Sequence, residues 1–119
     1  MPITTWDEVL KRSDIVGGDI ETQEDGDIYR GPIESIEKDG DIILIKSPWM
    51  AKMTLPEGKW RKWNIFSMSL NPEEIQPNDI GQGRIMFRMP ALGLGTIFPK
   101  GGSKLDPSKV EGLETVSID

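Results

Sequence analysis

Runs of hydrophobic and polar positions that suit β-strands recur along this chain, and two Asp-Gly pairs separate three of these runs. The same turn occurs at Glu24-Asp25-Gly26-Asp27-Ile28 and again, fourteen residues later, at Lys38-Asp39-Gly40-Asp41-Ile42. An Asp-Gly pair between runs of high β-propensity is a strong hairpin signal, because a tight hairpin turn needs positive φ at its centre. The two turns predict a meander over residues 19–47, with strands at 19–23, 28–37 and 41–47.

Two features of this meander predict its shape. Gly31-Pro32 lies inside the second predicted strand, where the proline removes one donor from the hydrogen-bond ladder. We expect a bulge or a sharp bend at that point. Ile42–Ile45 is apolar on both faces, so we expect the third strand to be the most deeply buried one.

The remaining pattern predicts one short helix and further strands. Thr5-Trp6-Asp7-Glu8 forms a capping box, and the apolar positions that follow have helical spacing, so a helix is expected from Trp6 to about Arg12. Residues 49–59 are expected to form a loop. Asparagine or aspartate followed by proline predicts single helical turns at 72–76 and at 107–111. Further strands are predicted at residues 60–70, 84–89 and 95–99.

These elements predict a mainly β fold in one small domain that spans residues 1–119. Five to six strands with a short N-terminal helix and one or two single-turn helices suit a small, strongly bent antiparallel β-barrel or a two-layer sheet. The order of strands and turns resembles the SH3-like and other small-barrel architectures. This resemblance concerns the pattern of elements, and a fold analogy does not give a function.

Composition excludes several kinds of chemistry. The chain contains no cysteine and no histidine among its 119 residues. Disulfides, His-Cys zinc sites, Ser-His-Asp triads and Cys-His dyads within the chain are therefore excluded. No basic region followed by an apolar stretch is visible at the start, and no apolar run approaches the ~18 residues that span a bilayer. We expect a cytoplasmic protein that does not associate with membranes.

The net charge of −6 is unevenly distributed along the chain. Residues 1–45 carry twelve acids and four bases, a net charge of −8, whereas residues 46–63 carry five bases and one acid, a net charge of +4. Residues 64–119, with seven acids and five bases, contribute −2. The overall acidity disfavours general nucleic-acid binding, since phosphate attraction supplies most non-specific affinity. The basic segment keeps single-stranded nucleic acid open as a partner.

The basic segment also contains three of the four tryptophans. Flat rings can stack on bases or sugars, and cations can neutralise phosphate. The alternative is that the rings are buried and that the Lys and Arg stems cover them at a barrel rim. On one strand Trp60 and Lys62 share a face while Arg61 and Trp63 share the other, so we expect one tryptophan to point inward. The candidate binding residues are Trp49, Lys52, Trp60, Arg61, Lys62 and Trp63.

Neither a metal site nor a phosphate site is expected. The two acidic turns lie at opposite ends of the second predicted strand, whereas a hard cation needs several oxygens at one point. The glycine-rich stretch 93–104 lacks the third glycine of a dinucleotide fingerprint and the Gly-Lys-Ser/Thr order of a P-loop. No cofactor is expected. Met50 and Met53, beside Trp49, predict an adaptable protein-binding patch if they are exposed.

The leading hypothesis is a non-enzymatic binding or assembly module that docks a partner through the face around Trp49, Trp60 and Trp63. A protein partner is favoured by the overall acidity, with single-stranded nucleic acid as the alternative. A second class is an enzyme or small-ligand binder with a pocket in the barrel mouth, formed by Glu34, Glu37 or Tyr29 with Arg84 or Arg88. A third is a structural subunit, or homo-oligomer, that pairs through an exposed sheet edge at the polar strand 19–23.

Overall fold

A computed structural model describes residues 4–54, 60–63, 66–90 and 93–102. Within these ranges it contains one short helix and ten strands, which form two antiparallel sheets. The predicted mainly β fold is confirmed, whereas the predicted helical turn at 107–111 lies outside the described residues. The elements are α1 (Trp6–Lys11), β1 (Asp19–Glu24), β2 (Asp27–Pro32), β3 (Ser35–Asp39), β4 (Ile42–Ser47), β5 (Met50–Thr54), β6 (Trp60–Trp63), β7 (Phe66–Leu70), β8 (Asn78–Gly81), β9 (Arg84–Met89) and β10 (Gly93–Phe98).

The two sheets share one bent ribbon of chain. The larger sheet has seven strands in the order β6-β5-β2-β1-β10-β9-β8, and the smaller has three in the order β3-β4-β7. Strand β2 pairs with β5 in the larger sheet, while β3 pairs with β4 in the smaller one. Because β2 leads into β3 and β4 leads into β5, this two-stranded ribbon bends from one sheet into the other. Strands β6 and β7 follow the same path beside it.

The bend explains where the predicted strands differ from the observed ones. The predicted pairing of the second strand with the first and third is confirmed, but residues 28–37 and 60–70 are each divided between the two sheets. The five to six predicted strands thus become ten in the described residues, where the sheets do not close into a barrel. The loop predicted for residues 49–59 is wrong at Met50–Thr54, which forms β5. Gly31-Pro32 indicates a bend, but side-chain alternation persists through it, so the sequence pattern does not show that the strand passes from one sheet to the other.

The two Asp-Gly turns share a sequence but not a register. In the first, Asp25 and Gly26 form the two-residue loop, with φ of 42° and 92°. In the second, the loop is Gly40-Asp41, with φ of 60° at the glycine. Positive φ at both central residues is the requirement of a type I′ turn, and positive φ at the first alone is that of type II′. Both predicted hairpins therefore form, but with turns offset by one residue.

The core lies between the two sheets, and α1 covers one end of it. Thr5 accepts a hydrogen bond from the Glu8 backbone N–H (3.1 Å), which confirms the predicted N-cap. Trp6 is buried, its Nε1 donates to the Ile75 carbonyl at 2.7 Å, and its ring meets that of Phe87 edge to face at 5.6 Å. With six residues, α1 is far too short to cross a bilayer, and no other helix occurs in the described ranges. The apolar core includes Val9, Ile15, Ile20, Ile33, Ile43, Ile45, Met50, Leu70, Ile85, Phe87, Met89 and Ile97.

The predicted bend at Gly31-Pro32 is confirmed, and the facing strand fits closely into it. The Ser47 hydroxyl is buried and lies 2.5 Å from the Pro32 carbonyl oxygen and 2.6 Å from that of Trp49. A Cβ atom on Gly31 would overlap the Trp49 carbonyl oxygen and lie 2.6 Å from the Met50 Sδ. We call this close approach of β2 to the segment that joins β4 to β5 the crossing. It needs a residue without a side chain at position 31 and a small hydroxyl at position 47.

Gly31→Ala is expected to lower the free energy of unfolding by about 2 kcal/mol, because the added methyl group overpacks the crossing. Gly40→Ala is the control: its Cβ meets nothing within 4 Å, so its cost of about 1 kcal/mol reflects the positive φ alone. Urea denaturation of both variants measures the difference. A loss in Gly31→Ala no larger than that in Gly40→Ala would contradict the account of the crossing.

A bidentate ion pair follows the end of α1, in a segment that a backbone hydrogen bond joins to the loop after β10. Arg12 donates from Nε and Nη2 to the two carboxylate oxygens of Asp14, at 2.8 and 2.7 Å. The backbone carbonyl of Asp14 accepts from the Lys100 N–H. The hydrogen bond from Arg12 lowers the pKa of Asp14 below its usual value, and the same bond raises the pKa of Arg12.

Asp14→Asn is expected to reduce stability at neutral pH and to weaken the loss of stability in acid. The folded pKa of Asp14 is depressed, so its contribution is present above the unfolded pKa of about 3.9 and is lost as pH falls through the folded value. The side chain is 43% exposed, which limits the effect to less than about 1 kcal/mol. Unfolding at pH 7 and pH 3 tests this, with the exposed Glu37→Gln as control. Equal differences from wild type at both pH values would refute it.

Candidate partner-binding site

The six candidate binding residues lie at or beside one margin of the larger sheet. Strand β6 pairs with β5 and, among the described residues, with no second strand. The pairing sets Trp60 opposite Met53, Arg61 opposite Lys52, Lys62 opposite Ala51 and Trp63 opposite Met50. Trp49 directly precedes β5. The backbone therefore brings the six candidate residues together, although the side chains of Trp60–Trp63 lie outside the described part and their exposure stays a prediction.

Lys52 is held by its neighbours on β2. Its Nζ lies 3.7 Å from a carboxylate oxygen of Asp27 and 5.6 Å from the centroid of the Tyr29 ring. Tyr29 is the residue directly opposite Lys52 in the β2–β5 pairing, so the ring supports the lysine across the two strands. Asp27 offsets the charge of Lys52. Of the candidate cations, Lys52 thus has its partners within the protein, whereas the side chains of Arg61 and Lys62 lie outside the described part.

Trp49 is half-buried at the sheet crossing, where its carbonyl oxygen meets the Ser47 hydroxyl. Met50, the next residue, is fully buried in the core, and Met53 is half-buried. The condition for a protein-binding patch of Trp49, Met50 and Met53, that these residues be exposed, is therefore not met at Met50. The physical reason is that residues 50–54 form a strand, so that Met50 packs into the core between the sheets.

A cleft of about 470 Å³ opens beside β7, at the margin of the smaller sheet. Its walls include Met68 and Leu70 from β7, Met89 from β9, and the carboxylate residues Glu24 and Glu74. These residues come from distant parts of the chain, so no local pattern could have identified the cleft. The one available signal was the occurrence of methionine at two strand positions, since methionine is common on adaptable binding surfaces.

An arginine-aromatic cluster on the larger sheet accounts for several charged residues. The guanidinium of Arg30 lies 4.1 Å from the centroid of the Phe98 ring, and that of Arg84 lies 5.1 Å from it. Arg30 also approaches Asp19, which is 1% exposed, at 3.7 Å and Glu21 at 3.9 Å. Since a buried charge requires a nearby partner, these contacts explain how the Asp19 carboxylate is tolerated inside the protein.

The residues considered for an enzymatic site are spread over both sheets. Tyr29 contacts Lys52, Glu37 lies exposed on β3 of the smaller sheet, and Arg84 packs against Phe98. Glu34 and Arg88 are exposed. Within the described ranges, no three acidic side chains lie close enough together to hold a metal ion.

The prediction that residues 19–23 form an exposed edge strand, available for self-assembly, is wrong. Strand β1 lies inside the larger sheet, paired with β2 on one side and with β10 on the other. Its polar residues occupy a sheet position because Asp19 and Glu21 pair with Arg30, while Thr22 is buried on the opposite face. The margins among the described residues are instead β6 and β8 in the larger sheet and β3 and β7 in the smaller.

Comparison with known proteins identifies no relative of this chain, so the description of the site rests on its own residues. No protein-family model matches the chain, and no curated protein or solved structure is significantly similar to it.

Proposed function

We propose that this protein is a non-enzymatic binding module that docks a partner protein along β6, beside Trp49. The observation that carries the proposal is the position of the Trp60-Arg61-Lys62-Trp63 strand at the margin of the larger sheet. A marginal strand offers backbone N–H and C=O groups to an added strand, and its side chains give that addition specificity. The proposal includes a small SH3-like barrel as the finer fold type, favoured by the strong bend, and a cytoplasmic location.

The charge distribution favours an acidic partner segment. Residues 46–63 carry a net charge of +4, and Asp27 offsets the charge of Lys52 within the protein. The proposal assigns the selection of an acidic segment to Arg61 and Lys62, by charge complementarity that acts mainly on specificity and association rate. The net charge of −6 repels a polyphosphate at longer range, so single-stranded nucleic acid is the weaker alternative.

Charge reversal at β6 tests the proposal. A fluorescently labelled peptide of alternating valine and glutamate is expected to bind the wild-type protein, and Arg61→Glu/Lys62→Glu is expected to weaken binding by about tenfold or more. Arg88→Glu/Lys100→Glu is the matched control, because both residues are exposed outside the β5–β6 margin and the change in charge is the same. Fluorescence anisotropy gives the dissociation constants, and urea unfolding checks that each variant is folded.

The outcomes separate the alternatives. Equal weakening in the two double variants would show a general effect of net charge and would refute the assignment to β6. An oligothymidine that binds with a steep loss of affinity in salt, where the acidic peptide does not bind, would identify a nucleic-acid module instead.

A further inference from the structure

We infer that the docking margin continues from β6 along β7, where the cleft takes an apolar, basic stretch of the same extended partner. The inference rests on the proposed function at β6 and names the chemistry of the partner beyond it. The partner is a protein segment with an acidic part beside β6 and an alternating apolar and basic part beside β7.

The first step is the continuity of the margin. Strand β6 lies beside β5, and β7 lies beside β4. Since β4 leads into β5, β6 and β7 both lie on the same side of one continuous length of chain, opposite β2 and β3. Two residues separate the end of β6 from the start of β7. A partner strand that follows one of them therefore arrives directly at the other.

The second step is that the cleft opens onto the margin of β7. All four residues from Ser67 to Leu70 line it. Successive side chains of a strand point to opposite faces, so a cleft that touches four in a row touches the strand margin rather than one face. Within the described part of the chain, β7 pairs with β4 alone.

The third step is the apolar wall. Met68 is half-buried, and Leu70, Ile75 and Met89 are buried beneath the cleft. The volume of about 470 Å³ falls within the range of ligand pockets, and two of the four apolar side chains are methionines, which adapt to the shape of what they contact. This wall suits the apolar side chains of an alternating segment.

The fourth step is the charge of the cleft. Glu24 and Glu74 line it, and neither carboxylate has a Lys or Arg within 4 Å in the described residues. Three carboxylates in the central strands of the larger sheet differ, since Asp19, Glu21 and Asp27 each approach Arg30 or Lys52. Two acidic groups beside an apolar wall complement a partner that presents lysine or arginine.

Three labelled peptides test the inference: an acidic Val-Glu segment, a basic Leu-Lys segment, and the two joined by a short linker. The basic segment is expected to bind the wild-type protein about tenfold more tightly than Glu24→Lys/Glu74→Lys. Glu34→Lys/Glu37→Lys is the matched control, since both residues are exposed and neither lines the cleft. The affinity of the joined peptide is expected to exceed that of either half by roughly a hundredfold, because its second contact is intramolecular.

The order of the joined peptide adds a sharper test. Every strand pair in the two sheets is antiparallel, so the partner is expected to run against β6 and β7. The basic part then comes first in the partner's sequence, and the basic-then-acidic peptide is expected to bind more tightly than the reverse order. Equal affinity of the two orders would overturn the continuous margin.

The remaining outcomes distinguish this inference from the proposed function. Binding of the acidic peptide without the basic one would leave the proposed function standing and overturn the inference. Binding of the basic peptide alone would overturn the proposed function and the continuity with it. A mass that doubles with concentration in sedimentation equilibrium, and that Glu74→Gln returns to monomer, would assign the cleft to a second copy and overturn the inference. Urea unfolding of each variant excludes loss of fold as the cause.

Discussion

The two-sheet arrangement depends on the close approach of two strands at Gly31. There, β2 passes so near the segment that joins β4 to β5 that a methyl group does not fit, and the Ser47 hydroxyl lies between two carbonyl oxygens. This approach lets a single ribbon leave the larger sheet and enter the smaller one. The faces of the two sheets then enclose the core, and Trp6 covers one end of it.

Much of this fold follows from local sequence, and the part that does not is long-range. Thr5 as N-cap, the two hairpins and the bend at Gly31-Pro32 could be predicted, because each depends on residues within a few positions. Strand β5 was not predicted, since Pro48 interrupts the pattern before it and β2 provides its pairing partners from 21 to 27 residues away. The division of residues 60–70 between two sheets depends likewise on β4 and β5, which lie elsewhere in the sequence.

The candidate site shows the same division between local and long-range information. Clustering of tryptophan and basic residues could be read from the sequence, and the backbone places these residues on adjacent strands. The role of Lys52 could not, because Asp27 and Tyr29 come from the first hairpin. The cleft beside β7 was missed for a stronger reason: Glu24, Met68, Glu74 and Met89 meet only after both sheets have formed.

The one-residue offset between the two Asp-Gly turns determines what each aspartate can do. Asp27 follows the glycine of the first turn and begins β2, so its carboxylate reaches Lys52. Asp41 follows the glycine of the second turn but remains in the loop, where it is exposed. Two five-residue motifs that differ only in their first residue thus place one aspartate at the start of a strand and the other in a solvated turn. A duplicated motif in this chain duplicates the hairpin and not the chemical role of its carboxylates.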